Sequence, residues 1–284
     1  MITIYLICLQ WQMIAKNIGA SVSFRSIFHI NMVGTFWESV TPAAKAGGEA
    51  AKIVLLRSHA GYSTSQSIAL VGLQKTYSMI AFLLLSLFSL FWFLLRYEAS
   101  QVQKSILLIS FVFLVLAVAL LTIMLVKPMV FNRLIMRLPL KPATKEKIHA
   151  GAGVLESNIR AASTNLSTTF LQMALSIFIW LFFAVKSYIL ALALHIDIDF
   201  LAISAITYLV YMIAMVPLTP GGLGTFEGSM ALLLLPLNIS FNQSLLLAIV
   251  IRFVTFWFVF LVSLVYLGIY QLVKIFRKQS SPTM

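Results

Sequence analysis

The chain has 284 residues, of which 61% are hydrophobic and 10% are charged, and its mean hydropathy is +1.00. Soluble domains of this size do not carry so much apolar sequence, so the composition excludes a soluble protein and predicts an all-α, polytopic membrane protein. Twenty Lys and Arg residues against eight Asp and Glu residues give a net charge of +12. In a membrane protein this excess indicates basic cytoplasmic loops and attraction to anionic lipid headgroups rather than nucleic-acid binding.

The sequence offers no recognised cofactor or metal site. Cys8 is the only cysteine, which excludes an internal disulfide and a thiol-rich metal site. The four histidines are scattered without the spacing of metal ligands, and the sequence lacks a glycine-rich nucleotide-binding motif. We therefore expect a protein without a metal or a cofactor.

The first apolar segment, residues 1–15, is shorter than the roughly 20 residues that cross a bilayer. It has neither a basic start nor a small-residue cleavage site, so it does not resemble a secretory signal. We interpret it as the second half of a span whose beginning is missing. Longer hydrophobic runs predict four complete spans, at residues 67–95, 105–126, 168–194 and 243–270.

Two shorter apolar stretches, at about 26–41 and 200–216, each end at a Thr-Pro pair. Neither is long enough to cross a bilayer comfortably, and proline breaks helices. We interpret each stretch as one arm of a re-entrant or broken helix, with the Thr-Pro segment at the turn. Irregular backbone at that depth is tolerated only where it is buried in protein or lines a wet cavity.

The two Thr-Pro pairs belong to a pattern that occurs twice. Segments 41–49 and 219–227 both consist of Thr-Pro, six residues and Glu, and both contain glycines. Carboxylates are costly within lipid, and paired interruptions of apolar segments point to the binding site of a transporter. The alternative is a chance recurrence, because the pattern is loose.

The first copy also carries a local helix signal. Thr41 suits an N-cap and Pro42 suits the first helical position, so we expect a helix to start directly after this pair, at about residue 43. Lys45, Glu49 and Lys52 then share one helix face. The alternative is an interfacial helix with a charged, solvated face.

Charge predicts the orientation of the chain. Segment 127–167 carries seven basic and two acidic residues, so we place it in the cytoplasm as a basic connector with an amphipathic helix. The four spans then place residues 195–199 outside and the C-terminus in the cytoplasm of a plasma-membrane protein. The two broken helices consequently enter from opposite sides, as inverted-repeat transporters require.

Three parts of the chain resemble the lysylphosphatidylglycerol synthase transmembrane family. Residues 36–52, FWESVTPAAKAGGEAAK, are similar to its first signature, and residues 217–227, PLTPGGLGTFE, are similar to its second. Arg252 stands where the family usually has an arginine. The chain departs from the family at Gln74 and Ser78, where acidic residues are common, although Lys75 between them is kept.

The resemblance implies a flippase-like module that moves a phosphate-bearing lipid, a phospholipid or a polyprenyl-phosphate-linked lipid, between leaflets. In bifunctional relatives a separate soluble domain performs aminoacyl transfer. This sequence ends at Met284, shortly after the last predicted span, so we expect no synthase activity and no enzyme. The alternatives are a membrane-embedded transferase that uses a lipid carrier, and an accessory scaffold of an envelope glycolipid pathway.

The candidate headgroup site combines half-helix N-termini, flexible glycines and basic side chains. Such groups can bind a phosphate, and the two glutamates can balance the cations when the site is empty. A structural ion pair is the alternative for Arg252 and Glu227. We expect membrane lipids as partners, with a homo-oligomer or a lipid-synthesis enzyme as further possibilities, and these substrate-binding residues: Thr41, Pro42, Lys45, Gly47, Gly48, Glu49, Lys52, Lys75, Thr219, Pro220, Gly221, Gly222, Gly224, Glu227 and Arg252.

We expect both glutamates near the membrane midplane, with Lys75 and Arg252 facing the same space. Apolar walls that include Phe36, Trp37 and Phe226 should open sideways toward lipid, so that acyl tails remain in the bilayer.

The topology can be tested with reporter fusions. A reporter placed after Lys147 or after Met284 should lie in the cytoplasm, whereas one inserted near Asp197 should lie outside. Protease protection in oriented vesicles gives the readout. If the reporters at 147 and 197 lie on the same side, the two broken helices are not inverted.

Overall fold

All regular structure in the described residues is helical. The computed structural model describes residues 2–41, 46–137, 139 and 141–279. Its helices are α1 (Ile2–Asn17), α2 (Phe24–Val40), α3 (Ala46–Ala60), α4 (Thr64–Arg96), α5 (Gln101–Val126), α6 (Pro128–Ile135), α7 (Pro142–Ser163), α8 (Leu166–Ala193), α9 (Phe200–Ala214), α10 (Thr225–Leu234), α11 (Phe241–Arg252) and α12 (Phe258–Gln279). A π-helical turn, Phe253–Trp257, joins α11 and α12 into one long helix.

Polar caps set where the long helices begin. Ser63, Ser100 and Ser240 each form a capping box with the glutamine three residues later, at the start of α4, α5 and α11. A capping box satisfies two backbone donors that would otherwise lack a partner. Each of these helices therefore begins two to four residues before the apolar run that predicted it.

Four helices are long and apolar enough to cross a membrane: Thr64–Arg96, Gln101–Val126, Leu166–Ala193 and Phe241–Phe276. Their outer faces carry large apolar side chains, such as Leu95, which is 86% exposed. Apolar surface on this scale suits contact with lipid rather than water. The four predicted spans and the all-α polytopic fold are confirmed, and the protein is a multi-pass membrane protein.

Helix α4 is shared by two packing units. Its first half contributes Ala69, Leu70 and Tyr77 to a core with α1, α2, α3 and α7. Its second half contributes Phe82 and Phe93 to a core with α5, α8, α9, α10 and α11. Because α4 runs through both cores, it fixes the first short-helix pair, α2–α3, relative to the second, α9–α10.

The two short-helix pairs open toward opposite ends of α4. We call the end where α4 begins end A and the end where it finishes end B. Helix α3 leads through Gly61 directly into α4, so the α2–α3 pair opens at end A. Asp199, the N-cap of α9, lies near Tyr97 at end B, where burial and this carboxylate raise the pKa of the Tyr97 phenol. The α9–α10 pair therefore opens at end B, while a two-fold relation of the halves stays a prediction.

The basic connector forms two helices, α6 and α7, that pack onto the bundle at end A. Ile159 and Ala162 of α7 are buried in the core around the first half of α4. The hydroxyl of Ser65 donates to the carbonyl oxygen of Gly151, which joins α4 to α7. The segment is therefore helical, whereas its amphipathic contact with lipid and its cytoplasmic location stay predictions.

Small residues bring α2 and α3 into close contact. A Cβ atom added at Gly48 would lie 2.7 Å from the Gly34 carbonyl oxygen and 2.7 Å from Cβ of Glu38. A Cβ atom at Gly34 would meet the aliphatic part of Lys52 at 2.5 Å. Small residues at helix interfaces allow such approach in membrane proteins. The packing of this pair therefore depends on glycine at both positions.

The close packing of α2 against α3 predicts that one methyl group added at Gly48 lowers the stability of the protein. Gly48→Ala should destabilise the protein by about 1–3 kcal/mol, because the new methyl group clashes with backbone atoms that cannot move independently. Gly153→Ala is the matched control, since its Cβ would lie 3.7 Å from the flexible end of Met129. Thermal unfolding in detergent measures both variants. Equal melting temperatures would contradict the close contact.

Candidate functional site

The first break carries a cluster of charged side chains centred on Glu49. Its carboxylate lies 3.4 Å from Nζ of Lys52 and 3.4 Å from Nζ of Lys75. A second carboxylate, Glu38 on α2, lies 4.0 Å from Nζ of Lys52. The cluster therefore links α2, α3 and α4, and its side chains are between 9% and 32% exposed.

Lys52 is buried between α2 and the ring of Trp11. The side chain lies against Gly34 and its ammonium group sits 5.9 Å from the centre of the Trp11 ring. An aromatic face attracts a cation and tolerates its partial dehydration. The predicted face containing Glu49 and Lys52 is thus present, with the two side chains paired at i, i+3.

The predicted site residue Thr41 lies at the end of α2. It is the C-cap of α2, and both its backbone N–H and its hydroxyl donate to the carbonyl oxygen of Trp37. A hydroxyl placed after a helix competes for the free carbonyls at that end. Helix α3 is described from Ala46, whereas the helix start predicted at about residue 43, together with Pro42 and Lys45, lies outside the described residues.

The second break carries a separate ion pair. Nε of Arg252 lies 3.6 Å from Oε1 of Glu227, and the side chains are 9% and 17% exposed. The other carboxylate oxygen of Glu227 accepts a hydrogen bond of 2.7 Å from the backbone N–H of Gly224. The guanidinium also donates to the carbonyl oxygen of Gly221. Arg252 therefore ties α11 to both sides of the broken segment.

The backbone of this break requires glycine. Gly221, Gly222 and Gly224 have φ values of 62°, 71° and 77°, in the left-handed region that favours glycine. The hydroxyls of Thr219 and Thr225 meet across the loop at 2.9 Å. This tight turn places the backbone N–H of Gly224 at the start of α10 within hydrogen-bond distance of the Glu227 carboxylate.

Aromatic rings surround Arg252. The guanidinium lies 5.3 Å from the ring centres of both Phe226 and Phe256. The π-helical turn follows Arg252 directly, and such turns are frequent at functional sites. Tyr211 packs edge-on against Phe226 and donates to the hydroxyl of Thr255 in the same turn. The expectation that Phe226 opens toward lipid is wrong, because Phe226 is fully buried beneath Arg252.

Lys75 of the first break and Arg252 of the second break lie at similar distances along their spans, measured from opposite ends of the bundle. Lys75 is eleven residues from the start of α4 at end A, and Arg252 is eleven residues from the start of α11 at end B. At 1.5 Å per residue, each lies about 16 Å into its span. No ion pair among the described side chains joins one group to the other. A cavity common to both stays a prediction.

Gln74 and Ser78, which depart from the family pattern, form hydrogen bonds with residues of other helices. The amide of Gln74 donates to Gln10, and Ser78 accepts from the indole N–H of Trp180 through its backbone and hydroxyl oxygens. The cation Lys75 obtains its carboxylate from Glu49 of the neighbouring helix. An acid within α4 is therefore unnecessary for balancing this lysine.

Lys186 is a further intramembrane cation that the sequence analysis missed. It lies within the span α8, and its ammonium group sits 4.4 Å from the ring centre of Phe183. That ring packs edge-on against Tyr211, which contacts Phe226 beneath Arg252. A charged residue inside a strongly apolar run was the available signal, because intramembrane lysines are rare and commonly functional.

Each break pairs a carboxylate with one or two basic side chains. Glu49 is held by two lysines, and Glu227 is held by Arg252 and the backbone N–H of Gly224. Basic side chains and backbone N–H groups of this kind also suit a phosphate. Among the described residues, no three His, Cys, Asp or Glu side chains come together in a way that could hold a metal ion. The arrangement can therefore bind an anion when a carboxylate releases its partner.

Comparison with known proteins decides the family. The model of the lysylphosphatidylglycerol synthase transmembrane region matches residues 1–263. The chain belongs to this family. The resemblance found in the two signatures is thus confirmed, and it extends over nearly the whole chain.

Similar proteins come from archaea. A UPF0104 membrane protein of Methanothermobacter thermautotrophicus is 23% identical over 91% of this chain and 79% of its own length. UPF0104 membrane proteins of Pyrococcus horikoshii and Methanocaldococcus jannaschii are 22% and 21% identical, over 90% and 81% of this chain and 80% and 70% of theirs. No solved structure matches the chain.

The ion pair between α3 and α4 predicts energetic coupling. Glu49→Gln and Lys75→Gln combined should deviate from the sum of the single effects on the free energy of unfolding by about 0.5 kcal/mol or more, because the two side chains are in contact. Glu49→Gln combined with Lys127→Gln is the control, since Lys127 is at the end of α5. Chemical denaturation in detergent gives the values, and additivity in both pairs would contradict the contact.

Proposed function

We propose that this membrane protein translocates a phosphate-bearing lipid between the two leaflets. The observation that carries the proposal is the pair of charged breaks, Glu49 with Lys52 and Lys75, and Glu227 with Arg252. They lie in helix pairs that open toward opposite ends of α4. A lipid headgroup that crosses the bilayer needs such polar partners from both sides.

The first step is an exchange of anions at one break. A headgroup phosphate replaces Glu49 beside Lys52 and Lys75, so that the cations remain neutralised throughout. The carboxylate is free to pair with a cationic part of the headgroup, if one is present. Exchange of one anion for another avoids exposing a bare charge to a medium of low dielectric constant, which costs several kcal/mol.

The second step repeats the exchange at the other break. Arg252 offers a planar guanidinium that suits bidentate contact with a phosphate. The start of α10 adds backbone N–H groups and the positive end of its helix dipole. The phosphate takes the place of Glu227, which otherwise occupies both the guanidinium and the Gly224 N–H.

Acyl tails have apolar surface beside both breaks. Trp37 and Val40 are 45% and 52% exposed at the end of α2, and Leu218 and Leu223 are 71% and 50% exposed in the second loop. Apolar side chains beside a polar site let tails stay in lipid while the headgroup enters. This surface favours a lipid over a water-soluble substrate.

The proposal also covers the membrane location, the orientation and the partners of the protein. A plasma-membrane location with a cytoplasmic C-terminus follows from the basic connector, because positive charge is retained on the cytoplasmic side. Translocation requires no bond to be made or broken, so the protein acts as a transporter and not as an enzyme. Membrane lipids are its partners, and a homo-oligomer or an enzyme of lipid synthesis is compatible with this role.

Transport measured in proteoliposomes tests the proposal. Glu49→Gln, Glu227→Gln and Arg252→Ala should each slow the flipping of a headgroup-labelled fluorescent phospholipid about tenfold or more, since each removes a charged contact. Bleaching of the outer leaflet by an impermeant reductant measures the rate. Glu156→Gln in α7 is the control and should transport normally.

Stability separates this proposal from a structural role for the same side chains. Loss of one partner of a purely structural buried pair should destabilise the protein by about 3–5 kcal/mol. Transport-deficient variants with nearly unchanged melting temperatures favour the functional role. Variants that unfold, or that stay folded and transport normally, contradict the proposal.

A further inference from the structure

A polar pocket lies at end A of the bundle, apart from both breaks. Its volume is about 260 Å³, and it lies where the start of α2, the end of α3 and the later part of α12 meet. It is lined by Arg25, Ser26, His29, His59, Tyr266 and Tyr270. Neither signature of the family contributes a residue to it.

Aromatic contacts hold the floor of this pocket in place. Nδ1 of His29 lies 3.2 Å from the hydroxyl of Tyr266, and its ring centre lies 4.2 Å from that of Tyr270. The His59 ring is 5.8 Å from the His29 ring. Phe28 packs edge-on against Tyr266 and closes the inner side. Side chains of α2, α3 and α12 thus pack together to form this pocket.

The lining has the chemistry of an anion site. Each of the six side chains can donate a hydrogen bond, and none of the six is a carboxylate. Arg25 brings a permanent positive charge in the first turn of α2, where free backbone N–H groups add partial positive charge. Neighbouring Lys274 follows Tyr270 by one helical turn. A phosphate fits such a set of donors, whereas a cation does not.

The pocket faces outward at the edge of the bundle. Arg25, His59 and Tyr270 are exposed, whereas His29 and Tyr266 are half-buried beneath them. Ile269 and Leu272, on neighbouring faces of α12, are 57% exposed each. Tyrosines are enriched where protein meets the headgroup region of a bilayer. The concavity is smaller than the roughly 300–1,000 Å³ of drug-sized sites, which suits a compact group.

We propose that this pocket binds the phosphate group of a ligand at the membrane surface. Arg25 and His59 contact the phosphate oxygens from the rim, and the hydrogen-bonded pair of His29 and Tyr266 donates its one remaining proton from the floor. The phosphate belongs either to a lipid headgroup or to a free phosphate ion. Binding here does not depend on translocation, and a lipid bound here would lie on the same side as the opening of the α2–α3 pair.

Calorimetry on the full chain in detergent tests the site. The two probes are dioctanoyl phosphatidic acid, a short-chain phosphate lipid, and inorganic phosphate. Binding of at least one probe should weaken about tenfold or more in Arg25→Ala with His29→Phe, because the guanidinium and the imidazole donor are both lost. Arg57→Ala, an exposed change on α3 that does not line the pocket, should bind normally.

The pattern across the two probes identifies the source of the phosphate. Binding of the lipid alone assigns the pocket to a headgroup, and equal, competing binding of both probes assigns it to the phosphate ion. His59→Gln, a change at an exposed side chain, should weaken the same probe without lowering the melting temperature. Absence of binding by both probes, or binding that the variants leave unchanged, overturns the proposal.

Transport and binding at this pocket can fail separately. Glu49→Gln should keep normal affinity for the probe while losing transport, since Glu49 does not line the pocket. A protein without flipping activity that still binds the probe through Arg25 would refute the transport proposal and leave this site intact. Loss of probe affinity in Glu49→Gln would show that the pocket is not a separate site.

Discussion

The cost of placing charge in an apolar medium organises this molecule. An Arg, Lys or Asp at the centre of a membrane helix costs roughly 2.5–3.5 kcal/mol by insertion measurements, and more without partners. Here Lys52, Lys75 and Arg252 each lie within 4 Å of a carboxylate. Lys52 pairs with Glu49 within α3 and with Glu38 of α2, whereas the pairs of Lys75 and Arg252 each join two helices. The second break supplies what a continuous helix cannot, because its glycine turn brings the backbone N–H of Gly224 to the Glu227 carboxylate. Charge and broken backbone therefore stabilise one another.

The same constraint explains the arrangement around the breaks. Helix α9 is buried on nearly all sides, which suits a short helix whose end exposes unsatisfied backbone. Glycine contact between α2 and α3 brings Lys52 and Glu49 beside Glu38, and the long helix α4 supplies Lys75. Because α4 carries one short-helix pair at each end, the two pairs open toward opposite ends of this helix. A protein that only scaffolds others has no need of paired charges at two such places.

Much of this architecture could be predicted from sequence, and the failures have physical causes. Hydropathy predicted the four spans, since length and apolar content decide whether a helix crosses a membrane. Local rules did not predict the hydrogen bond from the Thr41 hydroxyl to the carbonyl oxygen of Trp37, which caps the end of α2. Tertiary packing also decides the position of Phe226, which was expected to face lipid but is buried beneath Arg252. Lys186 lies in an apolar span, and only the fold shows that its ammonium group packs against the Phe183 ring. Partners distant in sequence, such as Glu49 and Lys75, cannot be paired without the fold.

Accessibility of the two breaks tests the central claim most directly, that both belong to one path across the membrane. In a Cys8→Ser background, Thr41→Cys and Thr219→Cys each place one thiol at a break. An impermeant thiol reagent is applied to either side of oriented vesicles that contain transportable lipid. One path with alternating access predicts that each thiol reacts from both sides, and that the lipid changes the two rates in opposite directions. Reaction of each thiol from one side alone, on opposite faces and without any effect of lipid, would contradict the account.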